Sequence, residues 1–198
     1  MFFTFAAGAQ AMPRDTEADI AKEFKRLKTL QAALEKIPME KMETEPHKSF
    51  LKKNEKEITY SEPAGQWYVR SELFWDLRAK AKNLTQAEEI AWTAAQNPIP
   101  GECEGYINCY LYLETITNGR YILYYPNGRY SKQTISEIAE RLEQLSADDS
   151  QYDGPTDASD RAELKKYLSE LKAQISASAH VEKAKALSSI NKLESKYK

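Results

Sequence analysis

The sequence predicts an all-α fold, an irregular antiparallel array of helical hairpins with further helices at both ends. Three observations predict it. Apolar residues recur at spacings of three and four through residues 15–37 and again from 161 onward. Thr85-Gln86-Ala87-Glu88 has the form of a helix-opening capping box. The aromatic-rich centre, residues 91–138, carries Tyr121, Tyr124 and Tyr125 at helical spacing. The alternative is an α+β fold with a Tyr-rich β-hairpin at 106–130, because Asn118-Gly119 lies between aromatic and β-branched runs.

Taken in order, residues 1–11 pair a short apolar run, Phe2-Phe3-Thr4-Phe5, with the small-x-small triplet Ala9-Gln10-Ala11. This reads as a signal-peptide remnant, which implies a periplasmic or secreted protein. A frayed apolar terminus is the other reading. Within 12–37, Ile20, Phe24, Leu27, Leu30, Leu34 and Ile37 form the stripe of an amphipathic helix capped by Thr16 and stopped by Pro38. Residues 38–66 hold Pro38, Pro46 and Pro63 among many charges and read as a connector. A short helix is expected near 48–55, a brief extended piece at 57–60, and a turn at Pro63-Ala64-Gly65.

The compact core is expected at 67–145. Trp67, Tyr68, Leu73, Phe74, Trp75 and Leu77 suggest a helix over 66–83, followed by one from the capping box to Gln96. So short a connection sets the two antiparallel, with Ala87, Ala91, Ala94 and Ala95 allowing close approach. Residues 146–160 are acidic and turn-rich and read as a mobile linker. From 161 to 198 the apolar register slips across residues 176–180. That gives two helices folded back as a hairpin, or one long bent helix.

Tyr121-x-x-x-Tyr125-Pro126-Asn127-Gly128-Arg129-Tyr130, with the apolar-periodic Ile135, Ile138, Leu142 and Leu145 behind it, resembles tetratricopeptide-like repeats of bacterial envelope proteins. The resemblance spans about residues 67–145. It implies helical hairpins that present residues from successive helices to a protein or peptide partner. The loop 98–105 is longer than a repeat turn needs, so a capped, irregular domain is expected in place of a regular solenoid.

Composition narrows the functional classes. Charged residues are 29% of the chain and the net charge is −2, with no basic excess to attract nucleic acid or acidic lipid. No run approaches the ~20 apolar residues of a membrane span. Cys103 and Cys109 flank Gly105, and an even count in an exported chain predicts a disulfide ahead of a pair of free structural thiols. A metal site is weaker still, since His47 and His180 lie far from them in sequence and zinc takes four ligands. No cofactor is expected, and no catalytic residue is assigned.

What remains is surface. Aromatics and arginines carry interface hot spots, and Arg120, Tyr121, Tyr125, Arg129 and Tyr130 are the candidate partner-binding residues. Their alternative role is to pack and seal the helical pairs. The competing functional reading is a small-ligand-binding protein or hydrolase that uses the loop 98–112, with Glu102 and Glu104 as its polar groups.

Overall fold

Helix α1, Glu17–Leu34, begins where Thr16 and Asp19 cap each other: the Thr16 side chain accepts the Asp19 N–H, and the Asp19 carboxylate accepts the Thr16 N–H. Two orphan donors of the first turn are thereby satisfied. The computed structural model describes residues 16–97, 99, 101–148 and 151–198, so the expected signal segment at 1–11 lies outside the described residues. The α1 stripe is buried as its spacing predicts, at Ile20, Phe24, Leu27, Leu30 and Leu34.

Residues 38–66 are more ordered than a connector. A 3-10 turn at Met39–Lys41 leads into α2, His47–Asn54, and then into strand β1, Ile58–Ser61. Strand β2, Gln66–Val69, pairs antiparallel with β1 in the register Ile58↔Val69 and Tyr60↔Trp67. A two-stranded hairpin thus qualifies the all-α expectation and removes Trp67 and Tyr68 from the helix expected over 66–83. Gly65 turns the chain at φ 60°, and Tyr60 meets Trp67 across the ladder at 5.3 Å between ring centroids. Local pairing of aromatic and β-branched residues outweighs the helical spacing that Trp67 and Tyr68 share with Leu73 and Phe74. The hairpin is tied to α1 through the Val69 N–H, which donates to Gln31 Oε1 at 2.9 Å.

Helix α3, Ser71–Lys80, packs on α4, Ala87–Gln96, and the four alanines are buried between them as expected. Ser71 Oγ donates to the Ala94 carbonyl at 2.7 Å and Asn97 Nδ2 to that of Val69 at 2.8 Å, so the end of α4 is clamped to the start of α3. The expected capping box does not form. Gln86 occupies the cap without a side-chain bond, and the Glu88 carboxylate points elsewhere.

The Tyr-rich centre is helical: α5, Ile107–Ile116, then α6, Asn118–Tyr124, then α7, Ser131–Ser146. The hairpin alternative at 106–130 is therefore wrong, because burial of Ile107, Leu111 and Thr115, and of Tyr121 and Ile122, follows the helical period. Asn118-Gly119 serves as the bend between α5 and α6. At Gly119 a Cβ would lie 2.0 Å from Gln174 Oε1, so any other residue would displace the Gln174 side chain, whose Nε2 donates to the Thr115 carbonyl at 3.1 Å.

That neighbour is α8, Ala158–Ser176, which packs on α5 and α6, while α9, Lys183–Lys196, packs on α7 and on α8. The C-terminal segment is thus two helices in a hairpin. The acidic stretch expected to be a mobile linker is pinned where it is described. The Asp153 N–H donates to the Gly105 carbonyl at 2.9 Å, and its own carbonyl accepts from Ile107 at 3.0 Å. Tyr152 meets the Tyr110 ring edge-on at 5.1 Å. Cys103 and Cys109 form a disulfide across 5.3 Å between Cα atoms, closing the loop that precedes α5. No helix among the described residues is long and apolar enough to cross a membrane. Alkylation of the unreduced, denatured protein is expected to label neither cysteine, as read by intact mass. Two labelled thiols would show that the loop is held by packing alone.

Candidate functional site

Glu88 sits at the start of α4 with its carboxylate beneath the turn between α6 and α7. It accepts the Tyr121 hydroxyl at 2.7 Å and the Arg129 N–H at 2.5 Å, and the Tyr121 oxygen in turn accepts the Tyr130 N–H at 3.2 Å. A Cβ on Gly128 would stand 2.1 Å from Glu88 Oε1, so the carboxylate occupies the space that any other residue would need. Burial, reinforced by the bond to Glu88, raises the Tyr121 phenol well above its usual range. Tyr121 is fully buried. Its part is to hold the turn, and it offers no contact surface.

The other candidate residues extend from Tyr121 as one chain of ring and guanidinium contacts. Toward one end, Tyr121 meets Trp92 at 5.6 Å, Trp92 stacks flat on Tyr130 at 4.7 Å, and the Arg129 guanidinium lies 5.2 Å from the Tyr130 ring. Toward the other, Tyr121 meets Tyr125 at 5.6 Å, and Arg78 lies 5.4 Å from Tyr125 and 3.6 Å from Tyr124. Tyr124 then meets Trp75 at 6.3 Å, and Arg120 covers Trp75 at 4.3 Å. Arg120 and Arg129 therefore stand at opposite ends of the ladder. Among the described residues none of these three arginines has a carboxylate within 4.0 Å, whereas Arg26 pairs with Glu23 and Glu57.

Sequence reasoning missed Glu88 as an anchor of the site and Leu123 and Tyr124 as its exposed apolar part, 58% and 40% exposed. The available signal was spacing: Arg120, Leu123 and Tyr124 stand at i, i+3 and i+4 of α6, and Trp75 and Arg78 at i and i+3 of α3.

Two polar hollows lie elsewhere. One of about 340 Å³ is lined by Tyr60, Glu62, Gly101, Glu102 and Glu104 and brings both loop glutamates beside the β-hairpin. The other, about 290 Å³, is lined by Glu114, Asn118, Glu137, Glu140, Arg141 and Gln144. Burial pushes the Glu114 carboxyl up to about 7, opposed only by an Asn118 amide at 3.3 Å and the Arg141 guanidinium at 3.9 Å. Among the described residues no group of three or more His, Cys, Asp or Glu is arranged to hold a metal ion.

Two stability tests follow from this geometry. Glu88→Ala strands the Tyr121 hydroxyl and the Arg129 N–H, and is expected to cost about 2–3 kcal/mol in urea unfolding. Gly128→Ala is expected to be destabilising too, and an unchanged midpoint for either variant would show that the carboxylate is not what holds the turn. Glu114 has a folded value raised from an ordinary 4.5 to about 7. Its contribution is full below pH 4.5 and is lost as the pH rises through 7. Glu114→Gln should therefore unfold at higher urea than the wild type at pH 8, by on the order of 3 kcal/mol, with the gap closing toward pH 5. An equal gap at both pH values would assign the effect to packing. No protein-family model, no curated protein and no solved structure matches the chain, so the reading of the site rests on its own geometry.

Proposed function

We propose that the protein is an exported interaction or scaffold protein whose tetratricopeptide-like helical core binds a protein or peptide partner, without catalysis of its own. The observation that carries the reading is the ladder of rings and guanidiniums. Arginines laid on aromatic faces without carboxylate partners keep their charge and their in-plane N–H groups available to an incoming acceptor. Aromatic and arginine side chains held rigid in this way lose little rotamer freedom on binding, which is what favours them as hot spots. The disulfide supports export into an oxidising compartment.

A second reading, a small-ligand-binding protein or hydrolase working at the loop 98–112, is favoured by the hollow that Glu62, Glu102 and Glu104 share with Tyr60. Its lining is acidic and, among the described residues, carries no basic side chain, so the ligand it suits is cationic.

The test is capture of a partner from envelope extract by the wild type, followed by affinity measurement with Arg129→Ala and Tyr125→Ala. Each is expected to weaken binding by roughly 1–2 kcal/mol. Arg129 is exposed, so its variant should keep the wild-type Tm. Tyr125→Ala should lower the Tm, because the half-buried ring packs on Tyr121 and its hydroxyl accepts from Arg78 at 3.4 Å. If the wild type captures no more than unfolded protein does, the interaction reading fails.

A further inference from the structure

We propose that the face shared by α3 and α6 docks an acidic peptide segment bearing a large apolar side chain, an inference that rests on the interaction reading above. The face is built by helical spacing. Gly119, Tyr121 and Ile122 turn inward from α6, which leaves Arg120, Leu123 and Tyr124 as its outer stripe. Leu123 and Tyr124 are exposed large apolar residues, adjacent in the chain, and few others are exposed among the described residues.

Two guanidiniums frame this apolar spot. Arg78 lies 3.6 Å over the Tyr124 ring and Arg120 lies 4.3 Å over Trp75, and the two rings are themselves 6.3 Å apart. Arg78 donates through Nε to the Tyr125 hydroxyl at 3.4 Å, and among the described residues neither arginine has a further hydrogen-bond or ion-pair partner. Each guanidinium lies over a ring, and its N–H groups, apart from the Arg78 Nε–H, have no acceptor among the described residues, so they are available to fork a carboxylate. The Trp75 ring that Arg120 covers is buried.

Charge complementarity sets the occupant. The chain carries 30 acidic against 28 basic residues, and unlike Arg26, Arg141 and Lys185, which have carboxylates at hand, Arg78 and Arg120 have none within ion-pair distance among the described residues. Two unpaired guanidiniums on an apolar spot are too few to hold a nucleic-acid backbone or a lipid surface, each of which takes many phosphate contacts. They match one aliphatic or aromatic side chain flanked by Asp or Glu.

The experiment selects a displayed library of random peptides on the full chain and measures a synthetic copy of the dominant sequence by fluorescence anisotropy. Selected peptides are expected to carry Asp or Glu beside Leu, Phe or Trp, and to bind more weakly as salt is raised. Arg78→Ala and Arg120→Ala should each weaken binding about tenfold. Leu123→Ser, an exposed position with little packing to lose, should weaken it comparably at an unchanged Tm. Arg120→Lys should recover only part of the loss, because it keeps the charge without the planar fork. Peptides insensitive to these variants but lost on Arg129→Ala would overturn this face and leave the interaction reading standing. Recovery of no peptide beyond an unfolded control would overturn both. Binding of phosphatidylglycerol vesicles through Arg78 and Arg120, with no peptide selected, would overturn the proposal in favour of a membrane surface.

Discussion

The Glu88 carboxylate under the α6–α7 turn is the constraint on which the centre of the molecule depends. One acceptor on α4 holds the hydroxyl of α6 and a backbone N–H of the turn, and the same hydroxyl oxygen receives the next N–H along. Ser131 Oγ then closes on the Tyr125 carbonyl, and Asn127 Oδ1 accepts the Ala179 N–H from the loop between α8 and α9 at 2.7 Å. A single turn thus joins elements more than forty residues apart on either side. An acceptor in this place is stronger for being charged and half shielded from water, and leaving its donors unmatched would be costly.

Around that anchor the protein disposes its aromatics unusually. Tyr121 is sealed inside, and from it the rings run outward in two directions until each run ends at a guanidinium. Each contact is worth a modest amount beyond burial of the ring. Together they make a stiff spine that links α3, α4, α6 and the start of α7, so the outer side chains are carried by packed rings. That is why exposed Tyr124 and Leu123 can be held as a defined surface on a helix as short as α6.

Much of this was legible in the sequence where period and burial agreed. The α1 stripe, the alanine seam of α4, the C-terminal hairpin and the cysteine pair were all readable, because each is set by local spacing or by a simple count. The reading failed where one local signal was answered by a distant residue. Thr85 and Glu88 have capping-box spacing, yet Glu88 is drawn away by Tyr121 and the Arg129 N–H, which no nearest-neighbour pattern records. Trp67 and Tyr68 fit a helical face with Leu73 and Phe74, but the strand β1 four residues upstream claims their backbone. Asn118-Gly119 looks like a hairpin turn, and the reason for its glycine is Gln174, far along the chain. The binding face was half visible for the same reason. Arg120 and Arg129 were found by composition, while Leu123 and Tyr124 emerge only once the inward side of α6 is known.

The packing of the two last helices has a consequence for the order of synthesis. Helix α9 covers α7, and α8 covers α5 and α6, so the buried stripe of Ile138, Leu142 and Leu145 closes only after the C-terminal residues are present. A nascent chain that stops short of α9 keeps that side of α7 in water, at a loss of roughly 2 kcal/mol for each large aliphatic side chain left uncovered. The stability of α7 is therefore lent to it by the last helix of the chain, across the whole of α8.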